Sequence, residues 1–149
     1  MRLTRIAALL AASALAMLLS STNANAAAVA CGGGVSSGPI GANGCISAER
    51  GQQGPLPIRD IKAHVVLRNT SAHAARVDYE AFLNDGSGNW AKIGNGRTSV
   101  GARSTIGPIE IGSQTRVCAP HRVEIRVHVK PAGGAWSNWT SAATSQCQT

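Results

Sequence analysis

The sequence predicts an all-β fold, a single small antiparallel β-sandwich with two disulfides and a Gly-rich N-terminal loop. Three observations predict it. Apolar residues recur with a period of two from Ile58 onward, turn formers cut the chain at short intervals, and four cysteines stand in a chain that opens on an export signal.

The opening comes first. Arg2 and Arg5 precede an apolar run from Ile6 to Leu19, and a short polar stretch then ends in Ala24-Asn25-Ala26. A charged start, an apolar middle and a small-residue end describe a secretory signal peptide, residues 1–26, with cleavage expected after Ala26. A run of about 14 residues falls short of the roughly 20 needed to span a bilayer, so no membrane span is expected. The secreted protein would be extracellular.

Residues 27–57 form a second region. Residues 31–45 hold few large apolar side chains and many turn formers, which predicts a loop, since so little buried surface cannot offset the entropy of ordering. Gln52-Gln53-Gly54-Pro55-Leu56-Pro57 leads from it into the sandwich, residues 58–149.

There the alternation begins. Ile61, Ala63, Val65 and Leu67 form one inward row, Val77, Tyr79, Ala81 and Leu83 a second, and Val123, Ile125, Val127 and Val129 a third. Charged residues occupy most of the positions between. Such rows mark strands with one face on a core and one in water. Turn signals at Asn84-Asp85-Gly86, Gly94-Asn95-Gly96, Val100-Gly101-Ala102 and Pro131-Ala132-Gly133-Gly134 separate them. Seven strands are expected, near 60–69, 75–83, 89–93, 97–100, 104–111, 121–130 and 136–145. No helix is expected to cover a parallel sheet, which leaves the antiparallel sandwich.

Four cysteines in an exported chain read as two disulfides. If 121–130 and 136–145 form a hairpin centred near 132–133, Cys118 and Cys147 face each other across its open end, and Cys31 and Cys45 close the Gly-rich loop. On the chain-entropy account the two closures contribute about 3 and 3.5 kcal/mol. Spacings of 14, 73 and 29 between the cysteines suit no zinc site, and no metal or cofactor is expected.

The signal removes two of 14 basic residues and none of seven acids, so the secreted charge is 12 − 7 = +5. Of the 14 basic residues 11 are Arg, a bias that with the Ala and Gly content suggests a GC-rich bacterial genome. No basic cluster stands out, so specific nucleic-acid reading is not expected.

Residues 58–147 resemble the Ig-like and fibronectin type III-like modules of bacterial exported proteins. The resemblance rests on Val65-Val66-Leu67-Arg68-Asn69-Thr70, the strand at Val77 and the turn Gly101-Ala102-Arg103-Ser104. Trp136-Ser137-Asn138-Trp139-Thr140 is similar to the WSxWS box of fibronectin type III domains, which also place a strand with alternating Arg before the box, as Arg122 and Arg126 stand here. The resemblance implies a recognition or spacer role and no chemistry.

The candidate sites follow. Asp78 and Glu80 share a face and could mimic paired catalytic carboxylates, but Arg76 beside them favours a solvated charged face. No Gly-x-Ser-x-Gly elbow is present, and no catalytic residue is assigned. By parity His121 should face inward and His128 outward. Trp136 and Trp139 are the best functional lead. They could stack on sugar rings, or they could interleave with Arg122 and Arg126 as a structural column, the reading favoured by the adjacent Arg strand. A stretch with a repeat of three would place both indoles on one side.

The function expected is a secreted, non-enzymatic binding or surface-associated module whose partner is an extracellular protein or glycan. Alternatives are a small protease inhibitor using the 31–45 loop as bait, a basic antimicrobial or toxin-like protein, and, least favoured, a small hydrolase.

Overall fold

The computed structural model describes residues 28–51 and 56–147. The expected signal segment lies outside them. Eight strands form: β1 (Ala30–Ser37), β2 (Ile40–Arg50), β3 (Ile58–Asn69), β4 (Ala75–Asn84), β5 (Trp90–Val100), β6 (Thr105–Val117), β7 (Arg122–Pro131) and β8 (Thr140–Ser145). They make two four-stranded sheets, in the orders β1-β2-β3-β6 and β5-β4-β7-β8, and every neighbouring pair is antiparallel. The all-β, two-sheet, two-disulfide fold is the one the alternation predicts. Among the described residues no helix is long and apolar enough to cross a membrane.

The three inward rows meet as expected. Ile61, Val65 and Leu67 of the first sheet pack against Val77, Leu83, Val123, Ile125, Val127 and Val129 of the second, all at most 2% exposed. Tyr79 is the one aromatic in this buried cluster. Branched aliphatic side chains therefore fill the space between the sheets, as strand backbones favour.

Four expectations are corrected. The first is the Gly-rich loop: residues 31–45 pair as the β1–β2 hairpin, turning at Gly38 (φ +55°) and Pro39. β2 runs the length of β3, with Ala42 opposite Leu67 and Ile46 opposite Ala63. Its inward row is Ile40, Ala42, Gly44, Ile46 and Ala48, so small side chains concealed the period. At Gly44 the reason is close neighbours in β7 and β8. A Cβ on Gly44 would stand 3.2 Å from Thr140 and Val127, and one on Gly32 would fall onto the carbonyl of Ser141.

The second correction joins the expected strands 89–93 and 97–100 into β5, with no turn at Gly94-Asn95-Gly96. The register slips there instead: Gly94 faces Ala81 but Lys92 faces Phe82, which leaves Ile93 as a bulge. Glycine is required because β6 crosses against β5. A Cβ on Gly94 would meet the Ile111 carbonyl oxygen, and one on Gly112 that of Ile93, each at 2.2 Å.

The third concerns the last strand, which begins at Thr140, so residues 136–139 lie outside the ladder. The fourth is register: Arg122 opposite Ser145 and Val127 opposite Thr140 centre the β7–β8 hairpin between residues 133 and 134, one beyond the expected centre. Cys118 and Cys147 lie past its paired part and still join, with Cα atoms 5.4 Å apart. Cys31 and Cys45 join as directly opposed residues of β1 and β2, Cα atoms 4.0 Å apart.

Both flanks of the sandwich are closed. At one, β5 and β6 touch at the glycines just described. At the other, the Thr140 hydroxyl donates to the Gly33 carbonyl oxygen and accepts from the Gly44 amide at 3.2 Å, tying β8 to β1 and β2. Buried Asn69 ties the turns at one end, donating to the carbonyls of His73, Val100 and Gly101 at 2.8–3.2 Å while its Oδ1 accepts from the Ser71 amide.

Candidate functional site

The outer face of the second sheet carries the charged residues that alternate with its core row. In register across β5, β4 and β7 they read Arg97, Asp78 and Lys130; Asn95, Glu80 and His128; Lys92, Phe82 and Arg126. Opposite charges fall side by side. Arg97 holds Asp78 through two nitrogen–oxygen contacts, and Lys92 bonds Glu80 at 2.8 Å. These cations hold both carboxyls below their ordinary range. Asp78 and Glu80 are thus each held by a separate cation of β5.

Over this face lies the segment from Trp136 to Trp139. Ser137 anchors it to β7: its amide donates to the Val129 carbonyl at 2.8 Å, and its hydroxyl accepts from the Val129 amide at 3.1 Å. Both indoles consequently reach the same face of the sheet, as a repeat of three requires.

The rings build a column. Trp136 and Trp139 lie 4.0 and 3.7 Å from the His128 ring, inclined by 14° and 15°. Two near-parallel rings that close to one imidazole must cover its opposite faces. The Arg126 guanidinium then sits 4.4 Å from Trp139 and 4.4 Å from Trp90, with Phe82 at 5.3 Å. The order is Trp136, His128, Trp139, Arg126, Trp90, and Phe82 meets the edge of Trp139 at 5.4 Å and 87°. Arg126 Nε is buried without a hydrogen-bond partner, so this guanidinium is held largely by aromatic faces. Burial pushes His128 below the usual histidine range, while Glu80, 3.4 Å away, acts in the opposite sense.

The expected interleaving with Arg122 and Arg126 is met at Arg126 alone, and the ring between the two indoles is that of His128. Arg126 takes part and Arg122 does not. Arg122 is exposed at the far end of the face, beside a shallow concavity with Asn84 and Glu124. His128, Trp90 and Phe82 complete the column. His128 could have been found from parity, since it shares the face of Arg126; Trp90 depends on the β5 bulge. His121 is corrected also: it precedes β7 and is exposed rather than inward.

Trp139 and Trp136 differ in surroundings although each is 39% exposed. Trp139 is covered by His128 on one face and Arg126 on the other. Trp136, at one end of the column as Trp90 is at the other, stacks on His128, and it walls a concavity of about 330 Å³ with Asp78, Glu80, Asn95 and Arg97. A second concavity shares Asp78 and Arg97 and adds Arg76 and Lys130.

Elsewhere, His64 is buried in the first sheet, 3.0 Å from the Ser47 hydroxyl, and burial lowers its pKa. Among the described residues no three of His, Cys, Asp and Glu gather as a metal site would need. Neither a protein-family model nor a curated protein matches the chain.

Proposed function

We propose that the protein is a secreted, non-enzymatic module of Ig-like or fibronectin type III-like kind that binds extracellular material through the outer face of its second sheet. One observation carries the reading: two large indoles, fixed by stacking on β7, remain 39% exposed over the outer face of the sheet. Rigid aromatic side chains lose little entropy on binding and supply much of the energy at recognition surfaces. The two disulfides fit an extracellular protein, and the expected signal with cleavage after Ala26 supplies the route. The tip of the β1–β2 hairpin, not a bait loop, is what the 31–45 segment offers a protease.

Expression in a Gram-positive or Gram-negative bacterial host with fractionation tests this. The processed chain, beginning at Ala27 and lacking free thiols, should be recovered outside the cytoplasm and sediment with isolated cell-wall material. Unprocessed, reduced protein in the cytoplasm would refute the reading. So would turnover in a hydrolase panel that a single side-chain substitution abolishes.

A further inference from the structure

We infer that the free face of Trp136 is a stacking platform for a pyranose ring of an acidic glycan, whose carboxylate is received by Arg76 and Lys130. The inference rests on the binding reading above and assigns it a site and a ligand chemistry.

Trp136 stands at one end of the column, stacked on His128, and it lines an open concavity where a ring could be added without displacing a stacking contact. Trp139 offers no such face, being enclosed by His128 and Arg126. The concavity, about 330 Å³, stands at the small end of the range for ligand sites and suits one ring better than a drug-sized ligand. Its polar walls are of the kind that hydroxyl groups need. Asp78 and Glu80 accept, Asn95 accepts or donates, and Arg97 donates. Ion pairs to Arg97 and Lys92 hold the two carboxylates in place before a ligand arrives, which lowers the ordering cost of binding.

Charge selects the acid. Asp78 is matched by Arg97, and Glu80 by Lys92, whereas Arg76 and Lys130 in the adjoining concavity have no ion-pair partner among the described residues. An anionic substituent on the ring would find Arg76 and Lys130 in the adjoining concavity, neither held in an ion pair among the described residues and Lys130 acting on Asp78 only at longer range. A neutral ring would leave them unused.

The test uses the oxidised protein with polygalacturonate, alginate and hyaluronate as acidic probes and dextran as the neutral one, followed by titration calorimetry and indole fluorescence. At least one acidic probe should bind and perturb the indole emission, dextran should bind far more weakly, and affinity should fall steeply between about 50 and 200 mM salt. W136A should lose about tenfold or more in affinity, while W136Y keeps most of it. R76A and K130A should each weaken binding several-fold and flatten its salt dependence. Should W136A prove poorly folded, W136Y, R76A and K130A still decide the matter. Equal binding of dextran, acidic binding unaffected by W136A, or no binding of any acidic probe would each overturn the inference. In the last case, sedimentation with cell-wall material would leave the broader module reading standing with a different ligand.

Discussion

Replacing Trp139 with Ala removes the middle of the aromatic column, and its cost can be worked from the contacts. The indole loses the His128 ring at 3.7 Å, the Arg126 guanidinium at 4.4 Å and the edge contact with Phe82. An indole that stays 39% exposed buries roughly 100 Å² of apolar surface, worth about 2.5 kcal/mol at 25 cal/mol per Å². The cation–π contact adds about 0.5–1 kcal/mol, and more where the guanidinium is desolvated, as the buried, unbonded Arg126 Nε is. Relaxation of Arg126 and His128 toward water returns part of this, which leaves about 3 kcal/mol. At about 4 °C per kcal/mol for a domain near 120 residues, the midpoint of thermal unfolding should fall by about 10 °C. Chemical denaturation and calorimetry with both disulfides intact measure it. W136A, equally exposed but without a guanidinium or Phe82 edge against it, should lose less, by about the 0.5–1 kcal/mol of the cation–π contact. A W139A midpoint within about 3 °C of the parent, or a larger loss for W136A, would refute the assignment of Trp139 as the structural member of the pair.

Three further predictions follow from the fold. G94A should destabilise by about 3 kcal/mol, because its Cβ would overlap the Ile111 carbonyl, whereas G33A, with nothing within 4 Å, should change little; urea unfolding compares the two. N69A should cost about 2–4 kcal/mol in the same assay, since three carbonyls and an amide lose their partner; N69D, which keeps one acceptor and loses the donors, should not restore it. His64 and His128 both titrate below the unfolded value near 6.5, so the unfolded chain binds more protons just below that pH. Stability should therefore hold above about pH 6.5 and fall as pH drops from there through the folded values, and H64Q and H128Q should each flatten that slope in denaturant titrations between pH 7 and 5.

Strands whose inward rows are branched or large could be read from sequence. β3, β4 and β7 alternate Ile, Val, Leu and Tyr with charge, and they form within a residue or two of the expected bounds. β2 could not, because Ala42, Gly44 and Ala48 face inward. At Gly44 the missing side chain answers Thr140 of β8, a neighbour nearly a hundred residues away that no local pattern announces. Gly94-Asn95-Gly96 misled for a related reason, since a glycine demanded by a crossing strand and one demanded by a turn look alike. The column was half legible. A hairpin centred near 133 already sets Trp136 and Trp139 beside residues 126–131, so Arg122 was out of reach, and His128 shared the right face. What the sequence lacked was Trp90, brought to Arg126 by a bulge in another strand.

The close crossing of β5 and β6 and the Thr140 stitch between β8 and β1 bear on how the chain survives outside a cell. A sheet's outermost strand offers unpaired amides and carbonyls to any passing copy, and lateral addition of this kind seeds aggregates. Here the outer strand of each sheet rests against the outer strand of the other, at glycines that let the backbones touch. A second molecule seeking to extend either sheet at these points must first pry the two sheets apart. A side chain at Gly94 or Gly112 would do that prying from within, and its cost would then appear as precipitation on storage as well as in the unfolding midpoint.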